Sequence, residues 1–220
     1  MLKAVIFDMD GTIVDSLPYH EKSWELFSEI HPLKNFNDLL LQKKGGTILE
    51  IMRFLFGNEK SDDELKSLGE VKESLYRQIY CPNVQPIDGF IQFLETLKNK
   101  KYLINIASNG GHNNINFIMD HLKCNDYFKV KIGGEDVVKG KPSPEMFIKV
   151  MRILSVKPNE CLIFEDSLEG VKAGVKLGAI VVGITTTHKE EKLINIGCRM
   201  AIINYSDPHL LNKIVSNYFV

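Results

Sequence analysis

The sequence predicts an α/β protein: a doubly wound, mostly parallel sheet, interrupted after its first strand by a helical insert. Three observations carry that prediction. The chain opens with a short apolar run, Ala4-Val5-Ile6-Phe7, which ends in Asp8-Met9-Asp10-Gly11-Thr12 and reads as a buried strand stopped by turn formers. From about Leu17 to Tyr80 apolar residues recur only at helical spacing. From Cys81-Pro82 onward helical and strand-like segments alternate, the pattern of a parallel sheet wrapped by helices on both faces.

The insert begins with helix-start chemistry, Asp15 or Ser16 as a capping residue followed by Pro18. Leu17, Trp24, Phe27 and Ile30 mark one helix. Ile48, Ile51, Met52 and Leu55 mark a second, and Leu65, Leu68, Val71, Leu75 and Ile79 a third. After the punctuation of Pro82, Pro86 and Gly89 the pattern predicts a helix over 88–99, a strand over 102–107, a helix through 115–122 and a strand over 130–133. A helix over 144–154, a strand over 161–164, a helix over 167–177 and a strand over 179–184 follow. A weaker strand over 200–203 and a closing helix through 210–218 complete the chain. The N-terminal strand belongs with this sheet. Residues 1–15 and 82–220 are therefore expected to form the α/β core, and residues 16–81 a helical domain inserted into it.

At 220 residues the chain can bury a core without disulfide or metal staples. A formal charge of -1, from 27 basic and 28 acidic residues, offers no long-range attraction for nucleic acid or an anionic membrane. A small molecule is the expected partner. Cys81, Cys124, Cys161 and Cys198 are widely spaced and form no C-x-x-C pair, as expected of reduced thiols in a cytosolic protein. The first apolar run is too short for a signal peptide, and no stretch approaches ~18 apolar residues. The expectation is a soluble, cytoplasmic protein, monomeric for want of an apolar surface stripe.

Open parallel sheets bind ligands beyond the carboxyl ends of their strands. In an extended segment Asp8 and Asp10 point to one side. Two crowded anions call for a divalent cation or for a split between nucleophile and acid; an ordinary polar turn is the plain alternative. Ser108-Asn109-Gly110-Gly111 offers a hydroxyl, an amide and backbone N–H groups at a helix start, which is either an anion cradle or a simple turn. Lys141, in Lys139-Gly140-Lys141-Pro142, either balances a phosphate and an attacking carboxylate or is a solvated charge. Glu165-Asp166-Ser167 either completes an oxygen shell for a hard cation or caps the next helix. All of these fall at strand ends of one sheet, and that conjunction favours a site.

These segments, Asp8-Met9-Asp10-Gly11-Thr12, Ser108-Asn109, Lys141 and Glu165-Asp166, appear in the order found in a known family. Over nearly its whole length the chain resembles the haloacid dehalogenase-like superfamily, in its β-phosphoglucomutase-like and sugar-phosphatase branch. The resemblance implies a Rossmann-like core, the insert as a cap, Mg²⁺ as cofactor and a small phosphorylated metabolite as substrate. Asp8 would attack phosphorus and become an aspartyl phosphate. Asp10 would protonate the leaving oxygen and later take a proton from water, a role that needs a proton which nearby negative charge would favour. Asp8, the Asp10 carbonyl, Asp166 and, directly or through water, Glu165 would hold Mg²⁺. Ser108, Asn109 and Lys141 would hold the transferring phosphoryl oxygens.

In the insert, His20 and Trp24 lie one helical turn apart and match family positions that line the cleft. Lys44 and Gly45, in Lys43-Lys44-Gly45-Gly46-Thr47, match the family's specificity loop, and Lys72 matches a cap lysine. The alternatives are insert core for Trp24, surface for His20 and a solvated basic face for the lysines. One departure matters. Phosphoglucomutases of this branch carry an arginine just after the loop's Gly-x-Ser, whereas Gly45-Gly46-Thr47-Ile48-Leu49 has none. Arg53 comes five residues after Ile48, about 140° round a helix. Without a bidentate clamp for a second phosphate, hydrolysis of a small phosphomonoester such as a sugar phosphate is expected over isomerisation. A phosphosugar mutase remains the alternative, and after it a non-catalytic binding protein.

Overall fold

Short segments rich in Val, Ile, Leu and Phe become the strands β1 (Ala4–Phe7), β2 (Leu103–Ala107), β3 (Phe128–Ile132), β4 (Cys161–Glu165), β5 (Ile180–Ile184) and β6 (Met200–Ile202). They belong to a computed structural model that describes residues 2–43 and 45–216. The strands form one sheet in the order β3-β2-β1-β4-β5-β6, and every pairing is parallel. β1 and β4 are buried at every position, as strands covered on both faces must be.

Between β1 and β2 run α1 (Leu17–Ile30), α2 (Phe36–Gln42), α3 (Ile48–Phe56) and α4 (Asp62–Tyr80). Phe27, Phe36, Met52, Leu55 and Leu65 give this insert its own apolar centre, with Trp24 packed against it. The rest of the chain supplies α5 (Phe90–Asn99), α6 (His112–His121), α7 (Glu145–Leu154), α8 (Leu168–Lys176), α9 (Glu190–Asn195) and α10 (Leu210–Ser216). Alternation along β1 sends Val5 and Phe7 to the layer shared with α5, α6 and α10, and Ala4 and Ile6 to the layer shared with α7, α8 and α9. Phe7 stacks on Phe164 at 4.9 Å and meets Phe90 edge-on at 5.3 Å. Each such pair adds about 0.5–1.5 kcal/mol beyond area burial, so the strand end that delivers Asp8 is firmly seated.

Elements expected from the sequence appear within a few residues of their predicted bounds, with some differences. α2 and α9 escape the periodicity reading because each is under two turns and buries a single residue, Phe36 and Leu193 respectively. Ile30 and Val71 sit at helical spacing but are exposed. Ser16 stands at the N-cap of α1 without capping it through its side chain; its hydroxyl goes elsewhere. The end of the predicted closing helix, residues 217–218, lies outside the described residues. Cys124, Cys161 and Cys198 are buried free thiols and Cys81 is exposed. Among the described residues no helix is long and apolar enough to cross a membrane.

Candidate active site

Beyond β1 the chain turns at once. Asp8 still donates its N–H to the Phe164 carbonyl at 3.0 Å, and Ile13 N–H returns to the Met9 carbonyl at 2.8 Å. Gly11 has φ +77°, and a Cβ there would overlap the Asp166 carboxylate. Only glycine allows both the left-handed conformation and that approach. Asp8 thereby meets Glu165 and Asp166 at the neighbouring end of β4, with one carboxylate oxygen of each within 4.8 Å of the others. Thr12 donates to Asp166 at 3.1 Å, and Thr187, after β5, donates to its other oxygen.

Lys141 enters this group from the loop before α7. Its Nζ lies 2.7 Å from Asp8 Oδ1 and pairs with Glu165 Oε1. The second Glu165 oxygen accepts from the Ser167 hydroxyl at 3.0 Å. All four charged groups are buried, and one ammonium does not offset three carboxylates. Burial, then the Glu165 and Asp166 charges, push the Asp8 carboxyl well above its usual range against the pull of Lys141. Burial and Glu165 raise Asp166 to about 7 despite hydrogen bonds from Thr187 and Thr12. Burial would lower Lys141, but Asp8 and Glu165 outweigh it and hold the ammonium above its ordinary value. An excess of buried, hard carboxylate oxygens is what a divalent oxygen-seeking cation fits.

Asp10 faces the other way. Its Oδ1 accepts from Ser16 Oγ at 2.5 Å and from the Tyr76 hydroxyl at 3.3 Å, and lies 3.2 Å from His20 Nε2. Lys72 Nζ is 2.7 Å from His20 Nδ1. An ammonium can only donate, so Nδ1 accepts and Nε2–H points at Asp10. Burial works to raise the Asp10 carboxyl, yet His20, the Ser16 hydrogen bond and the Lys72 charge hold it below the carboxylate range. Neighbouring negative charge, expected from the sequence to favour a proton there, is not what surrounds this carboxylate. The correction is that Asp10 turns its carboxylate to donors of the insert and leaves the other acids to Asp8.

The remaining predicted residues divide. Ser108 is buried at the end of β2, its Oγ accepting from Gly110 N–H at 3.1 Å. Asn109 Oδ1 accepts from Lys141 N–H at 2.8 Å and so braces the lysine loop. The expected open N–H at the start of α6 is taken: His112 N–H donates to Glu135. Trp24 packs on Phe27 and Phe36 in the insert core, and its ring also lies 4.8 Å from Lys72 Nζ. Lys72 is 2% exposed, a buried cation held by His20 and not a solvated face. Gly45 lies against the Lys141 carbonyl; Lys44 lies outside the described residues. Ser16, Tyr76 and Thr187 join the site unpredicted. The threonine run Thr185-Thr186-Thr187 follows a strand as the other polar clusters do, so the same strand-end rule would have found Thr187.

Comparison with known proteins decides the family. The model of the haloacid dehalogenase-like hydrolases matches residues 2–178. The chain belongs to that family. Among relatives of this haloacid dehalogenase-like hydrolase, a beta-phosphoglucomutase of Bacillus subtilis is 30% identical over 191 residues, covering 83% of either chain. A phosphorylated carbohydrates phosphatase of Thermotoga maritima is 27% identical over 177 residues, 80% of this chain and 82% of that one. The crystal structure of a HAD hydrolase, family IA, variant 3, from Entamoeba histolytica superposes with a TM-score of 0.83 at 28% identity over 100% of both chains.

Proposed function

We propose that this hydrolase is a Mg²⁺-dependent phosphatase that cleaves a small phosphomonoester, a sugar phosphate, through an aspartyl phosphate on Asp8. The observation that carries the proposal is the buried Asp8–Lys141 contact of 2.7 Å beside Glu165 and Asp166, with Asp10 held apart against His20. Asp8, Asp166, the Asp10 carbonyl and, directly or through water, Glu165 would hold Mg²⁺, whose charge eases the approach of an anionic nucleophile to a phosphate. Asp8 forms the new oxygen–phosphorus bond as the ester oxygen departs. Lys141, Ser108 and the Asn109 amide hold the phosphoryl oxygens, where charge spreads in the transition state. Asp10 delivers a proton to the departing oxygen and then takes one from the water that attacks the intermediate. The arriving phosphate brings the negative charge that favours a protonated Asp10.

Residues 16–81 act as a cap over this cleft, excluding bulk water when seated. The phosphorylated carbohydrates phosphatase of Thermotoga maritima and a fructose-1-phosphate phosphatase of Escherichia coli, 24% identical over 181 residues, support the substrate class. The identity with the Bacillus subtilis mutase favours isomerisation as the second reading. Against it, Arg53 pairs with Asp62 at the start of α4, which leaves a second phosphate without a bidentate clamp. The test is purified protein with Mg²⁺ and a sugar-phosphate panel, following free phosphate and, separately, conversion of β-glucose 1-phosphate. Phosphate release is expected, lowered by at least about 10³-fold in Asp8→Asn. Efficient isomerisation without release, or full activity in that variant, overturns the proposal.

A further inference from the structure

We infer that Glu73 and Asn114 are positioning residues that set Asp10 for proton transfer only when the insert is seated on the core. The inference rests on the phosphatase reading and concerns residues outside its predicted machinery. Glu73, on α4, accepts from Lys72 Nζ through Oε1 at 3.1 Å and from Asn114 Nδ2 through Oε2 at 2.7 Å. Asn114 stands in the first turn of α6, the helix that follows the Ser108–Asn109 strand end, and is 1% exposed. Its Oδ1 accepts from Arg77 at 2.7 Å. Arginine only donates, so the amide oxygen faces Arg77 and its nitrogen faces Glu73; the amide has one orientation.

Linked to the contacts above, these bonds make one polar chain from Asn114 through Glu73, Lys72 and His20 to Asp10. The chain leaves the core at α6, passes through α4 and α1 of the insert, and re-enters the core beyond β1. Each link constrains the next. Glu73 is the carboxylate bonded to the buried Lys72 ammonium, which in turn selects the His20 tautomer whose Nε2–H holds Asp10. Withdraw the insert and the bonds that cross to the core, Glu73–Asn114 and Arg77–Asn114 at α6 and His20–Asp10 beyond β1, break with it. Lys72, Glu73 and His20 leave together, Glu73 gives up its partner on the core, and Asp10 loses the Nε2–H that orients it. Proton transfer is therefore coupled to closure, before any substrate contact is counted.

The test uses leaving-group chemistry. As Asp8 bonds to phosphorus and the phosphorus–oxygen ester bond breaks, an alkyl alcohol needs the Asp10 proton, whereas p-nitrophenolate departs without one. The kcat/KM for the best sugar phosphate of the panel and for p-nitrophenyl phosphate are measured with Mg²⁺ for the full chain, Glu73→Gln and Asn114→Ala. The expected result is an about 10–100-fold loss on the sugar phosphate and a loss below about threefold on the aryl ester, in both variants. Equal losses on the two esters, or none on either, overturn the inference, because a merely structural role does not distinguish leaving groups. Loss in Glu73→Gln alone overturns the assignment of Asn114. Should Glu73→Gln fail to fold by circular dichroism, Asn114→Ala and Asn114→Asp, which sets like charges face to face, decide it. A wild-type protein inactive on both esters fails the phosphatase reading itself, before any variant is made.

Discussion

Asp166 and Asp8 are acids whose carboxyls the fold pushes upward, and the sign of that shift has consequences for stability. Asp166 titrates at about 7 in the folded protein, against about 3.9 in an unfolded chain. Between those values the folded state binds more protons than the unfolded one, so stability falls as pH rises through the window; Asp8, also raised, acts in the same direction. A cation bound to the ionised acids removes the penalty. With metal chelated, the melting temperature is expected to fall from pH 5.5 to pH 8, and saturating Mg²⁺ to restore it most at the upper end. Calorimetric titration should show Mg²⁺ affinity rising through about pH 7. A metal-free melting temperature flat across that range would refute the account. Asp8, Lys141 and Asp166 were legible in the sequence because each follows a strand, and a parallel sheet gathers such ends at one edge. The Lys72–His20 contact was not, because its partners stand 52 residues apart and neither lies at a strand end.

Helix α8 shows how an element can be built around a single side chain. Ser167 caps it, accepting from Gly170 N–H at 3.0 Å, and a Cβ on Gly170 would overlap the Glu165 carboxylate. In an ordinary helix Gly→Ala adds about 0.5–1 kcal/mol of stability. Here overpacking reverses the sign, and Gly170→Ala is expected to cost about 1–3 kcal/mol in urea unfolding. It should also lower kcat, since Glu165 holds Lys141; a stabilised and fully active variant would show that Glu165 has room to move. Ser167 was readable as a cap from its place before Leu168. Ser16, an equally good capping residue by sequence, instead donates to Asp10, because the turn through Gly11 brings that carboxylate within reach. Local preference names the residues able to cap, and the tertiary fold decides which of them do.

Insert and core are also joined at the scale of the whole molecule, through a bond that begins as local helix chemistry. Thr47 and Glu50 form the capping box of α3, with Thr47 N–H on Glu50 Oε2 at 2.8 Å. The same Oε2 accepts from Gly140 N–H at 2.8 Å, and Gly46 N–H donates to the Lys141 carbonyl at 2.8 Å. With Asn109 on the Lys141 N–H, the loop that carries the lysine is gripped from the insert on one side and from the segment after β2 on the other. A Thr-x-x-Glu pattern is readable as a capping box; its second partner, 90 residues away, is not. Glu50→Gln keeps an acceptor for both N–H groups, whereas Glu50→Ala removes the cap, worth about 1 kcal/mol, and frees the lysine loop as well. The expected outcome is that Glu50→Gln retains most activity, while Glu50→Ala lowers kcat/KM by about tenfold per folded molecule, a second-layer effect on Lys141. Stability from urea unfolding and kcat/KM, measured on the same preparations, separate the two roles. If Glu50→Ala loses stability but keeps its kcat/KM, the carboxylate is a helix cap only, and Lys141 is held by Asp8, Glu165 and Asn109 without help from the insert.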